Sequence, residues 1–233
     1  EPIIEAAGVA ATLLKHLPPS AERAALLSQL AVGDSLPITC VTEYCLDNAA
    51  ILPIAKTYPT GFTVSGVYDC VPLARAASGF LAPVRLDGNV ALFWIPTSTS
   101  GVNINSRHLA DNTSHAAVTF SEVELTEDLL LGHGDRIEQA LDCAIDHGHL
   151  LTAAYLCGLM THTLETMLEY LRTRKQFGRT IGSFQALQHR AVDLFVQREL
   201  ASSVMADAII GVSSLNDPRE RAILASRAKY RAA

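Results

Sequence analysis

The chain has 233 residues, 49% hydrophobic and 18% charged, with a formal net charge of -6. That length can bury a sizeable core in one large domain or two to three modest ones. Mild acidity and the lack of a basic stripe argue against a nucleic-acid reader, and no apolar run approaches the roughly 20 residues a membrane-spanning helix needs.

In chain order, residues 1–32 read as helical. Ile3, Ile4, Ala7, Ala11, Leu14 and Leu17 recur at near-helical spacing until Pro18-Pro19 interrupts. Ser20 is the expected cap of a second run that Gly33 ends. From about residue 36 to 132, short β-branched segments set between Gly, Pro, Asn and Ser predict an antiparallel β-domain of six to eight strands, with Asp87-Gly88 as a hairpin turn. Asp135 and Glu138 suggest a capping box. Beyond them an apolar stripe through Ile137, Leu141, Leu151, Tyr155, Leu159 and Leu171 predicts one long helix. A second helix is expected from Ser183 to about Ile210, with Leu187, Ala191, Leu194, Phe195, Ala201, Met205 and Ala208 on one side and Gly211 as its stop. Asp217 and Pro218 then open a third. The fold class is therefore α+β in three sections: an N-terminal helical part (1–35), a β-domain (36–132) and an antiparallel helical bundle (133–233).

Cys40, Cys45, Cys70, Cys143 and Cys157 form no C-x-x-C pair, so structural zinc is not expected. Buried free thiols in a reducing compartment are the plain reading, and without a secretory signal the cytoplasm is the default. His147 and His149 flank a helical position and point to opposite faces, which does not suit a metal; His133, in Gly-His-Gly, reads as a turn residue. The chain starts at Glu1 and ends inside an apparent helix, so it is expected to be the interior of a longer protein.

The densest chemistry lies in "YLRTRKQFGRTIGSFQAL", residues 170–187. Arg174 and Lys175 are expected in the last turn of one helix, Gly178 as its terminator and Ser183 at the start of the next, whose free N–H groups suit an anion. Phe177 and Phe184 offer flat faces to a base. Together these would suit an ADP moiety; a helical hairpin with solvated basic residues is the plain alternative.

This stretch resembles the acyl-CoA dehydrogenase signature, with Tyr170, Arg174, Gln176, Phe177, Gly178, Ile181, Phe184, Gln185, Gln188, His189, Ala191 and Asp193 in the family's order. "VTFSEVELTEDLLLG", residues 118–132, resembles the family's exit from its β-domain. The resemblance implies an FAD-dependent enzyme that oxidises an acyl-CoA thioester at its α and β carbons and passes electrons to an electron-transfer flavoprotein. It implies that Arg174, Gln176, Phe177 and Gln185 bind the ADP half of a neighbouring subunit's FAD, with Arg174 on the pyrophosphate, where a guanidinium can make a two-point contact.

The departures matter as much. Where the family has a glycine-rich flavin cradle, this chain has "TEYCLDNA", residues 42–49; where the family has Trp-Ile-Thr against the isoalloxazine, it has Cys70-Val71-Pro72. One family position for the catalytic Glu falls at Gly148, so no catalytic residue is assigned. Asp146, two residues away, is turned about 200° from that face. The resemblance thus implies a non-catalytic chain paired with a paralogous catalytic acyl-CoA dehydrogenase subunit, as in the heterotetrameric enzymes of bacterial steroid side-chain breakdown. A self-sufficient homo-oligomer with its base farther along the chain, and a flavin-free scaffold of the same fold, are the alternatives.

Overall fold

The computed structural model describes residues 3–41, 52–214 and 217–233. It divides into two compact units, Glu1–Gly148 and His149–Ala233.

The first unit opens with a π-helical run, Ile3–Ala10, leading into α1, Ala11–His16. The sequence predicts an ordinary α-helix throughout; Gly8, a weak helix former, lies inside the wider-wound run. Pro18-Pro19 ends α1, and Ser20 caps α2, Ala21–Val32, by accepting from the Arg23 N–H at 3.1 Å. Arg23 in turn donates from Nε to the Leu14 carbonyl (2.7 Å) and from Nη2 to the Lys15 carbonyl (3.0 Å), satisfying groups that the end of α1 leaves open. Gly33 closes α2 at φ +83.

Eight strands form the sheet: β1 (Pro37–Thr39), β2 (Ile54–Tyr58), β3 (Gly61–Pro72), β4 (Gly79–Leu86), β5 (Asn89–Pro96), β6 (Val102–His108), β7 (Ser114–Leu125) and β8 (Leu130–His133). The order is β6-β7-β3-β2-β4-β5-β8, with β1 beside β4. Most pairings are antiparallel, but β1 and β2 both run parallel to β4, with Ile38 opposite Phe80 and Ile54 opposite Arg85. The sheet is mixed, which alternation within single strands does not reveal, because the pattern reports faces rather than neighbours. β4 and β5 are nearly continuous apolar runs because both faces are covered. They join through Asp87-Gly88, at φ +48 and +84, the two-residue turn expected. Leu13, Leu14, Phe80, Phe93 and Phe120 are buried in this core, and the Tyr68 hydroxyl, buried among them, donates to the Pro83 carbonyl.

Helix α3, Asp135–Thr173, is 39 residues long and belongs to both units. Asp135 is its first residue rather than its cap: the Gly134 carbonyl accepts from the N–H groups of Ile137 (2.8 Å) and Glu138 (3.3 Å). Gly134 stands at φ +78 just before the helix.

In the second unit, α3 is followed by β9 (Lys175–Gln176), β10 (Arg179–Thr180), α4 (Gln185–Ser214) and α5 (Pro218–Ala232). Asp217 caps α5 by accepting from the Arg219 N–H at 2.8 Å, with Pro218 at the first helical position. Helix α4 continues through Gly211, which costs only about 1 kcal/mol in a helix and does not stop it. The helices pack along a seam of small residues, with Ala153, Cys157, Ala201, Ala208, Ala228 and Ala232 buried. The Arg231 guanidinium donates to Gln197 Oε1 (2.6 Å), and Arg227 pairs with Asp207 (2.9 Å), tying α5 to α4. The residues expected on one side of α4 divide: Ala201 and Ala208 are buried, whereas the larger Leu187, Leu194 and Phe195 are 36%, 49% and 46% exposed.

A candidate cofactor-binding corner

The corner between α3 and α4 is a small β-hairpin. After Thr173 ends α3, the Arg174 N–H still bonds the Tyr170 carbonyl (2.9 Å), and the Arg174 carbonyl accepts from the Ile181 N–H (2.9 Å). β9 and β10 pair with Gln176 opposite Arg179 and Lys175 opposite Thr180. Two residues make the turn, Phe177 at φ +56 and Gly178 at φ +78, both left-handed as a two-residue hairpin of this hand requires.

Three expectations are corrected here. Arg174 lies one residue past the end of α3, keeping a last helical hydrogen bond, and Lys175 belongs to β9 rather than to the helix. Gly178 is a hairpin residue and does not terminate a helix. Ser183 precedes α4, which starts at Gln185; Ile181–Ser183 form a 3₁₀ turn in which Ser183 Oγ donates to the Thr180 carbonyl (2.7 Å). The physical reason is shared: strand pairing of 175–176 with 179–180 replaces the abrupt helix-to-helix turn.

Strain and exposure meet at Phe177. A left-handed backbone costs a residue with Cβ about 1–2 kcal/mol, and the ring it presents is 89% exposed. It meets Phe184 edge to face at 6.2 Å, and the Arg179 guanidinium lies 4.2 Å over the Phe184 ring. Arg179 is the member of this cluster that sequence reasoning missed. Its only signal was a cation five residues before an aromatic, which is not a helical spacing and is meaningful only once the hairpin folds back. Arg174, Gln176 and Gln185 are exposed on the same hairpin and helix start. The base of the corner is fixed: Gln188 Nε2 donates to the Gly182 carbonyl (2.9 Å), and a Cβ at Gly182 would sit 2.7 Å from the Leu171 carbonyl oxygen. The corner is thus a firmly seated ledge carrying exposed aromatic edges and guanidinium groups, chemistry suited to a base and a phosphate.

Gly148, on α3, is buried, and a Cβ there would lie 3.0 Å from Val9 Cγ2. A longer side chain at 148 must displace Val9. Asp146 is also buried, at 5% exposure. At the end of β3, Val71 is buried opposite Ala116, Cys70 is half-buried, and Pro72 brings no N–H to the strand. Residues 42–49, the counterpart of the flavin cradle, lie outside the described residues. Among the described residues no cluster of three or more His, Cys, Asp or Glu side chains could hold a metal ion, and no helix is long and apolar enough to cross a membrane.

Residues 137–233 match the family model described as acyl-CoA dehydrogenase, C-terminal domain. Acyl-CoA dehydrogenase IpdE2 of Mycobacterium tuberculosis is 48% identical over 63 residues, covering 27% of this chain and 20% of its own. The mitochondrial short/branched chain specific acyl-CoA dehydrogenase of Bos taurus is 30% identical over 222 residues, 91% of this chain and 50% of its own. Among solved structures, the ChsE4-ChsE5 complex from Mycobacterium tuberculosis shares the fold with a TM-score of 0.82 at 21% identity, over 99% of this chain and 62% of that one. The chain spans half or less of the length of these two curated relatives. The β-domain followed by long helices, the signature corner and these matches make the chain similar to the acyl-CoA dehydrogenases, with residues 137–233 matching the C-terminal domain of that family.

Proposed function

We propose that this chain is the partner subunit of a heteromeric FAD-dependent acyl-CoA dehydrogenase, and that its α3–α4 corner completes the FAD site of a paralogous catalytic subunit. The observation that carries this reading is Phe177: an aromatic ring held outside the protein by a backbone conformation that costs free energy and gains no core contact in return. Arg174 would hold the pyrophosphate, Phe177 would lie against the adenosine, and Gln176 and Gln185 would donate hydrogen bonds. When bound, FAD supplies the hydride acceptor for α,β-oxidation of the acyl thioester.

The residues present fit the two halves of FAD unequally. The exposed cations and rings of the corner suit the ADP half. Val71 and Pro72 supply neither an aromatic face nor a threonine donor for an isoalloxazine, and Gly148 supplies no carboxylate to take the substrate's α-proton. The catalytic base and the flavin ring contacts are therefore assigned to the partner. Exposed Val192, Phe195, Val196 and Leu200, spaced i, i+3, i+4 and i+8 along one side of α4, support a protein partner, because apolar surface on one side of a helix calls for cover. An acyl-CoA thioester as substrate and an electron-transfer flavoprotein as acceptor follow from the family; a steroid side-chain thioester is the narrower proposal, resting on resemblance to paired dehydrogenases.

Flavin stoichiometry tests the reading. Purified alone, the chain should be colourless; co-expressed with a paralogous dehydrogenase it should carry about one FAD per pair, and Arg174→Ala should strip that FAD. A full complement of FAD on the lone chain would sink the proposal.

A further inference from the structure

Away from the corner, two side chains the dehydrogenase reading does not use meet in the first unit. His16, at the end of α1, places Nδ1 2.8 Å from the Thr12 carbonyl. A carbonyl only accepts, so Nδ1 carries a proton, and in the neutral ring Nε2 is then the acceptor. Nε2 lies 3.5 Å from Cys143 Sγ on α3, within reach of a thiol proton. His16 is exposed, and Cys143 sits just inside the surface at 7% exposure. A nucleophile, a base within hydrogen-bond reach and a third group orienting the base form the arrangement that activates a thiol.

We propose that Cys143 and His16 form a thiol–imidazole pair that makes Cys143 a site of oxidation by small hydroperoxides. The Cys143 thiol proton passes to His16 Nε2. The thiolate sulfur attacks one oxygen of hydrogen peroxide; the S–O bond forms as the O–O bond breaks, and sulfur gives up two electrons. The departing hydroxide takes the proton from the imidazolium and leaves as water, so one thiol and one peroxide yield one sulfenic acid and one water. The limited opening at Cys143 admits an oxidant of this size and disfavours bulky electrophiles.

The other described cysteines give the comparison. Cys40 is 1% exposed. Cys157 is 5% exposed and its thiol is pushed up by burial, away from the reactive thiolate. Cys70 is more exposed than Cys143, so an order set by exposure alone would have Cys70 react first.

The test treats the intact chain with hydrogen peroxide, removes the excess with catalase, and unfolds the protein in denaturant containing dimedone, so that the trap reaches every sulfenic acid. Peptide mass spectrometry then reports each cysteine. The expected result is a dimedone adduct on Cys143 ahead of Cys70, with Cys40 and Cys157 unlabelled. His16→Gln should reduce the Cys143 adduct roughly tenfold or more, since a positioned base typically contributes at least that much, while the circular dichroism melt stays unchanged. Labelling of Cys70 ahead of Cys143 in the unmodified chain would overturn the proposal without any variant. So would equal Cys143 labelling in His16→Gln and the parent.

Discussion

Replacing Phe177 with glycine separates the ring at the corner from the backbone that carries it. At φ +56, Phe177 bears about 1–2 kcal/mol of left-handed strain that glycine would not. Glycine gives back about 0.5–1 kcal/mol through the freedom it adds to the unfolded chain. The edge contact with Phe184 is worth about 0.5–1.5 kcal/mol when buried, and at 89% exposure it belongs at the low end. These terms nearly cancel, so Phe177→Gly should stay within about 1 kcal/mol of the parent, a melting shift below about 4 °C for a chain of this size. Thermal melting by circular dichroism reads that. FAD retained by the co-expressed pair after gel filtration reads function, and affinity should fall at least tenfold, the loss of about 1.4 kcal/mol expected when a stacked ring is removed. Full FAD retention with an unchanged melt would refute the view that Phe177 is displayed for a cofactor. A melt lowered by 10 °C or more would show instead that the ring is structural.

Four other perturbations test the corner and the first unit. Gly182→Ala places a Cβ 2.7 Å from the Leu171 carbonyl oxygen, so the turn must shift, at about 1–3 kcal/mol. Gly33→Ala meets nothing within 4 Å and carries only the left-handed cost, partly offset in the unfolded state, about 1 kcal/mol or less; urea midpoints should rank the two in that order. Phe93→Ala, fully buried and edge to face with Phe62 at 5.1 Å, should cost about 3–5 kcal/mol by urea denaturation. Asp111 accepts from the Thr113 N–H at 3.0 Å and its hydroxyl at 2.8 Å, bonds that hold its carboxyl below the ordinary aspartate value. A group depressed in the folded state stabilises above its unfolded pKa and loses that contribution as pH falls through the folded value. A carboxyl NMR titration should therefore find Asp111 protonating below the ordinary aspartate value, and Thr113→Val should raise it.

What the sequence made legible is local chemistry. Ser20, Gly33, Asp87-Gly88 and Asp217-Pro218 each act within a few residues of themselves, and each does in the structure what its residue type dictates. What it hid is decided by contacts far along the chain. The parallel placement of β1 and β2 beside β4 depends on which strands become neighbours, and the alternation of residues 37–39 or 54–58 is the same whichever strand they meet. On α4 the period marks a stripe but cannot say which part of it the chain itself covers: Ala201 and Ala208 are buried by close helix approach, and Phe195 is not.

The corner failed to read as a hairpin for a more instructive reason. A two-residue turn with both φ angles positive is signalled by Asn-Gly or Asp-Gly, and residues 177–178 are Phe-Gly. The wrong residue for the turn occupies its first position, and the geometry forms regardless because the ends are held elsewhere. The Arg174 carbonyl takes the Ile181 N–H, Gln188 grips the Gly182 carbonyl, and Gly182 lets the turn lie close against Leu171. Contacts on both sides therefore over-determine a conformation that Phe177 itself opposes. A local rule broken while the surroundings are arranged to sustain the breach is the pattern expected of a functional position. Arg179 follows from the same fold-back: only when 179–180 returns along 175–176 does its guanidinium come to lie on Phe184. The signature residues could be listed from their spacing, but the reason they work as a group is the strained turn, and that exists only in three dimensions.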